Sequence, residues 1–151
     1  MTTTYSGLLH SGLLPRAMLL LWAAALLSAI VAAPLAASTA RAEGWFLYQA
    51  LEPFCHQQPE RSWHFRGYPL AVCARCAGAY TGLLLAALLG VHLPARTIVM
   101  GVALFGVSWA AEFTGLAAVP NKIRFVTGLV LSFAVGAVLL AWAPRRPVRC
   151  E

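Results

Sequence analysis

The sequence predicts an all-α, polytopic membrane protein of about four transmembrane helices. Three observations carry that expectation. Of 151 residues, 60% are hydrophobic. Only 11% are charged, where a soluble domain carries about a quarter. Four apolar runs each approach the roughly 20 residues a helix needs to cross a bilayer. The mean hydropathy of +0.74 agrees. In hydrocarbon every backbone amide needs a partner within its own segment, so such runs must be helices in contact with lipid. The net charge of +6 does not point to nucleic acid. The basic residues are scattered, and none forms a stripe interleaved with aromatics. Arginines flanking apolar runs are topology signals instead.

The first run, 17–39, carries no charge. It has two readings. It is a membrane helix, or, with Arg16 before it and "ARA" at 40–42, it is a signal peptide cleaved before Glu43. The run exceeds the roughly 7–15 apolar residues of a signal core, which favours a retained helix. The second run spans 77–93 and contains "GAYTG", with Gly78 and Gly82 four apart on one face. That spacing lets helices approach closely in lipid. The third spans 98–119, with Glu112 as its one ionisable residue, and the fourth spans 125–143. The connections at 93–96 and 120–124 are short, so runs two to four form an antiparallel up-down bundle. The expected organisation is an N-terminal helix or signal segment (1–44), a loop with a three-helix membrane domain (45–143) and a basic tail (144–151).

The one long connection, of roughly thirty residues, precedes run two. Its start, "WFLYQALEPF" at 45–54, is aromatic, and Trp63, Phe65 and Tyr68 follow. Trp and Tyr favour the membrane interface. A short helix over 44–53, ended by Pro53, would bring Cys55 and His56 to the membrane edge. Because spans alternate direction, Cys55, His56, Cys73, Cys76, Glu112, Asn121, Lys122 and Arg124 fall in one half of the molecule. Cys150, His10 and His92 fall in the other. The tail "RRPVR" at 145–149 favours a cytoplasmic C-terminus by the positive-inside rule. The cysteine loop is then extracytoplasmic, in a multi-pass protein of the plasma membrane. Arg41, Arg61, Arg66, Arg75, Lys122 and Arg124 on the loop side weigh against this, while Glu43, Glu52 and Glu60 offset them.

The reactive residues converge on "CHQQPERSWHFRGYPLAVCARC", residues 55–76. Cys55, Cys73 and Cys76 with His56, or with His64 as the alternative, match the donor set of a tetrahedral Cys₃His zinc site; iron is the other candidate ion. The same residues suit thiol–disulfide chemistry. A C-x-x-C at a helix start feels the positive end of the dipole, with Arg75 between the sulfurs, and both effects favour thiolate. Cys55 would be the partner thiol, and a quinone would serve as electron acceptor. A third reading is a structural disulfide in a membrane subunit that docks a partner protein or a second copy. Whether the chain is an enzyme stays open. Glu112 needs a partner or a cavity, because an ionised group in a membrane span is costly. Arg124 or Lys122 could pair with it. Glu60 and Arg61 are either solvated loop charges or braces for the cysteine site.

"CHQQPERSW", "VCARCAGAYTG" and "NKIRFVTG" closely resemble the signature of the domain of unknown function 2085 family of prokaryotic membrane proteins. The matching positions are Cys55, His56, Gln57, Pro59, Arg61 and Ser62; Cys73, Arg75, Cys76, Gly78, Tyr80 and Gly82; and Asn121, Arg124, Thr127 and Gly128. Trp63 stands where the family usually has Phe. The resemblance covers about residues 45–140. It implies membrane location and groups Arg61, Tyr80, Asn121 and Arg124 with the cysteines, but it implies no activity. A looser likeness, in architecture alone, is to quinone-linked disulfide-forming membrane enzymes. The second cysteine pair those enzymes use is not evident here.

Overall fold

A computed structural model describes residues 6–39 and 42–142. Five helices dominate them: α1 (Ser6–Ser38), α2 (Ala42–Leu51), α3 (Ala74–Leu89), α4 (Arg96–Phe113) and α5 (Asn121–Trp142). By length and composition three can cross a membrane: α1 over Leu14–Ser38, α4 and α5. The fourth expected span, α3, has 16 residues, or about 24 Å of helix against a hydrocarbon core of about 30 Å. The chain is an all-α polytopic membrane protein, with three helices long and apolar enough to span and one shorter apolar helix, α3, among the described residues.

Helix α3 is the centre of the bundle. Its Gly78 and Gly82 face α5 so closely that a Cβ at Gly78 would collide with the Phe125 carbonyl, and one at Gly82 with that of Leu129. From the other side, Gly128 sits against the Arg75 carbonyl. Removing the side chains lets the backbones touch, and dispersion forces do the rest in a medium that offers no hydrophobic drive between helices. The small-residue spacing thus marks the α3–α5 seam.

Helix α1 packs against α2 and α3. Ile30 and Ala33 are buried together with Leu51, Cys55, Ala71, Val72, Ala77 and Tyr80 in one apolar cluster. Trp22 meets Tyr80 edge-on at 5.9 Å between centroids. At the far end the Arg16 guanidinium donates to the carbonyls of Ala87 and Leu88, both at 2.7 Å. Those carbonyls belong to the last turn of α3 and have no partner within the helix.

Two boundaries differ from expectation. The third run continues apolar to Val119, yet α4 ends at Phe113. Gly115, at φ +71°, adopts the left-handed conformation, and its N–H bonds the Glu112 carbonyl. This glycine cap overrides hydropathy. Glu112 therefore sits at a helix end, rather than inside a helix that runs on to Val119. Helix α3 also starts earlier than the apolar run, at Ala74, with Cys73 as its N-cap residue. The polar "CARC" is thus a helix start.

The connection from α2 to α3 is ordered by local hydrogen bonds. Helix α2 covers Ala42–Leu51 where 44–53 was expected, and Pro53 falls in the single 3-10 turn, Glu52–Phe54, that follows it. A second 3-10 turn, Pro59–Arg61, follows. A minimal hairpin then pairs β1 (His64–Phe65) with β2 (Tyr68–Pro69) antiparallel. Its two-residue turn, Arg66–Gly67, has φ of +52° and +84°, the type I′ geometry that matches strand twist.

Candidate functional site

Three segments meet at the end of the bundle where α3 and α5 begin and α4 ends. The first brings Cys55. Gln57 holds a positive φ of 49°, and its side-chain amide donates to the Tyr48 carbonyl at 2.6 Å. This sharp bend turns the chain back just after Cys55 and His56. Ser62 then closes the loop. It is 2% exposed, and its hydroxyl reaches the carbonyls of Gln58 at 3.0 Å and Val72 at 3.2 Å. One small side chain thereby ties the Cys55 strand of the loop to the approach of Cys73.

The second segment is the start of α3. The Sγ atoms of Cys55, Cys73 and Cys76 lie within 4.8 Å of one another. All three thiols are free. The Cys73 backbone N–H donates to Cys55 Sγ at 3.1 Å. Hydrogen bonds from the Cys73 and Cys76 thiols, with that N–H, hold the Cys55 thiol well below the usual thiol range, against the opposing pull of burial. Two causes of thiolate character were expected, the helix dipole and Arg75 lying between the sulfurs. The structure instead engages the Arg75 Nη2 with Ser108 and Glu112, both at 3.2 Å, and the Cys73 and Cys76 thiols supply the effect to Cys55.

The sulfur group borders a cavity of about 380 Å³ lined by Phe54, His56, Gln57, Gln58, Arg61 and Trp109 as well as the cysteines. His56 is exposed, and among the described residues no histidine nitrogen belongs to the three-sulfur group. His64 lies exposed in β1 and does not line that cavity. Glu60 is exposed as well. Tyr80 packs in the apolar cluster that includes Cys55.

The third segment is an ion cluster on Glu112. Its carboxylate meets Arg61 at 3.0 Å, Arg75 at 3.2 Å and Arg124 at 2.9 Å. The Glu112, Arg75 and Arg124 side chains are only 11%, 15% and 12% exposed, while Arg61 is 45% exposed. Arg124 also donates to Asn121 Oδ1 at 2.7 Å, and Asn121 donates to the Ser62 carbonyl at 3.2 Å. The loop, α3, α4 and α5 are thus fastened together through one carboxylate. Of the two partners expected for Glu112, Arg124 makes the pair; Lys122 is exposed. The structure brings together Cys55, Cys73 and Cys76 in one group, and Arg61, Arg75, Glu112, Asn121 and Arg124 in the adjoining one.

Sequence reasoning did not single out Ser108, Trp109 or Phe105. The Arg75 guanidinium carbon lies over the Phe105 ring, 5.0 Å from the ring centroid. The period offered a signal. Phe105, Ser108 and Glu112 are spaced i, i+3, i+7, which puts them on one face of α4.

No solved structure matches this chain. Curated relatives do. An uncharacterised protein of Methanocaldococcus jannaschii is 32% identical over 98 residues, covering 59% of this chain and 63% of that protein. An uncharacterised protein of Methanothermobacter thermautotrophicus is 38% identical over 82 residues, covering 50% of this chain and 74% of that protein. The match therefore spans less than two thirds of the first relative's own length. The family model described as "Predicted membrane protein (DUF2085)" matches residues 55–138, from the first site cysteine to near the end of α5. The chain belongs to that family of predicted membrane proteins.

Proposed function

We propose that this protein binds one soft metal ion, zinc in preference to iron, through Cys55, Cys73 and Cys76. The observation that carries the reading is the convergence of three free thiols from two distant stretches within 4.8 Å. Three thiolates at about 2.3 Å around a tetrahedral ion stand roughly 3.8 Å apart, so the group needs little adjustment to close. Three thiolates also select a soft or borderline ion over magnesium or calcium. The Cys73 N–H on Cys55 Sγ favours a charged sulfur. His56, on the wall of the same cavity, is our fourth ligand. If it stays away, the fourth position is open to a water or a small ligand. In either case the ion would staple the aromatic loop to α3.

A second reading draws on the free thiols and the lowered Cys55 pKa. Cys73 and Cys76 would cycle between dithiol and disulfide, passing two electrons and two protons to a quinone. Elemental analysis of the detergent-purified protein, with a free-thiol count on the same sample, separates the two. About one equivalent of zinc or iron, lost in Cys76→Ser, is the outcome expected for the metal site. No metal, with Cys73 and Cys76 joined in a reducible disulfide, would sink it. Cysteine variants that alter stability alone would leave a structural subunit that docks a partner or a second copy.

We also place the site on the outer face of the plasma membrane, with the tail inside. The tail residues 145–149 and Cys150 lie outside the described residues. Labelling Cys150 from outside with an impermeant thiol reagent would reverse this orientation.

A further inference from the structure

Charge in the site does not balance. Three guanidiniums surround one carboxylate, and Arg stays charged in any accessible pH range. Among the described residues with placed side chains, the other acids, Glu52 and Glu60, are exposed. With all three thiols protonated two positive charges remain uncompensated, and with one of them as thiolate one remains. With three thiolates closed on a divalent cation, which together add one negative charge, one positive charge still remains. Partly buried uncompensated charge at a membrane helix end is costly and normally marks a partner or a ligand.

A second cavity, of about 330 Å³, lies beside these arginines. Arg61, Arg75 and Arg124 form its polar wall, together with Cys73 and Cys76, and Ala79, Phe105, Leu131 and Ser132 line the remainder. Phe105 precedes Glu112 by seven residues and Leu131 follows Arg124 by seven. The cavity therefore runs about 10 Å along α4 and α5 away from the charges. One end is cationic and the other apolar. Arg75 is not saturated: its Nε is buried with no hydrogen-bond partner among the described residues.

We infer that this cavity binds an oxyanion, a carboxylate or a phosphate, carried on a short apolar chain. The head lies against Arg61, Arg75 and Arg124, and the chain lies along Ala79, Phe105 and Leu131. Planar guanidiniums suit both oxyanions, which they grip through paired N–H donors. The volume falls at the small end of ligand pockets and holds a chain of several carbons. The charge count holds with or without a metal, so the inference does not depend on the metal reading.

The test is isothermal titration of the full chain in a neutral detergent with octanoate, octanol and inorganic phosphate. Octanoate is expected to bind, and octanol, with the same chain and no charge, is not. Phosphate bound more weakly than octanoate indicates a lipid-borne head; phosphate bound as tightly overturns the apolar half of the inference. Octanol matching octanoate, or no binding of either anion, overturns all of it. Arg75→Gln is expected to weaken octanoate binding about tenfold with metal content unchanged. Loss of metal and octanoate together would mean collapse of the cysteine group and would count against the site. Should Arg75→Gln fail to fold, Ala79→Leu fills the apolar end instead. It should abolish octanoate binding and spare phosphate, and loss of neither would overturn the placement.

Discussion

Helices α3 and α4 are built from similar apolar residues and held in unlike ways. In α3 seven residues of 16 are buried, among them Gly78 and Gly82. In α4 only Gly101 and Ser108 of 18 are buried, and Val99, Met100, Val107 and Phe113 are all more than two thirds exposed. Helix α3 is fixed by backbone contact along its length. Helix α4 touches α5 where Gly101 meets Leu131 and is otherwise fastened toward its end by Glu112, with Ser108 and Phe105 meeting Arg75. The difference shows two solutions to the same problem. In lipid, exposure of apolar side chains costs nothing, so a helix needs either a close seam or a polar lock to have a fixed place.

Four variants break or sharpen that comparison. The largest effect is expected from Gly78→Leu combined with Gly128→Leu. Each new side chain meets a backbone carbonyl across the seam, and backbone cannot yield as a flexible side chain can. The double variant should give no monodisperse protein in mild detergent. A well-behaved product would mean that the seam is not what places α3.

Glu112→Gln should come next. Removing the shared carboxylate leaves three guanidiniums facing one another, and losing one partner of a buried pair costs about 3–5 kcal/mol. Exposure of Arg61 puts the expected loss at the lower end, about 3 kcal/mol. Thermal unfolding in detergent measures it. Hydrogen exchange should rise at the Ser108–Phe113 end of α4 while the α3–α5 seam stays protected. Uniform loss of protection would show that the two modes of attachment are not separable.

The third effect is spectroscopic. Because the Cys55 pKa lies below the usual range, metal-free reduced protein should keep one thiolate as the pH falls past about 8.5, where a free thiol protonates. Ultraviolet thiolate absorbance follows this. Cys73 is the largest contributor, so Cys73→Ala should move the titration back up. An unchanged curve would remove the cysteines' mutual hydrogen bonds as its cause.

The smallest effect belongs to Arg16→Gln at the opposite end. It removes the donors to the last α3 carbonyls and should cost about 1 kcal/mol. Metal content and octanoate binding should not change, since the site lies at the other end of α3. A change in either would mean that α1 transmits to the site through the cluster that holds Ile30 and Cys55.

Much of this was legible in the chain because the bilayer simplifies the rules. Composition and run length are enough to demand helices where water is excluded. The alternation of spans alone grouped Cys55, the C-x-x-C, Glu112, Asn121 and Arg124 in one half of the molecule, and the structure brings them to one end. The glycine spacing at 78 and 82 announced a close seam, though not the helix on its other side. The end of α4 was misread because hydropathy continues through 116–119, while Gly115 stops the helix by a backbone conformation that no hydropathy average registers.

The sequence by itself determined the class of fold, the membrane environment and the residues able to do chemistry. These follow from local composition and from the cost of placing polar groups in lipid, which depend on no partner. Only the tertiary structure decided that three arginines, at 61, 75 and 124, share one carboxylate, that Arg75 turns toward Glu112, and that, of the two candidate histidines, His56 but not His64 lines the cavity beside the sulfurs. Side-chain pairing across distant segments depends on helix rotation and on where each helix ends. Those are set by packing between elements, here the glycine seam and the Gly115 cap, and no single segment carries that information.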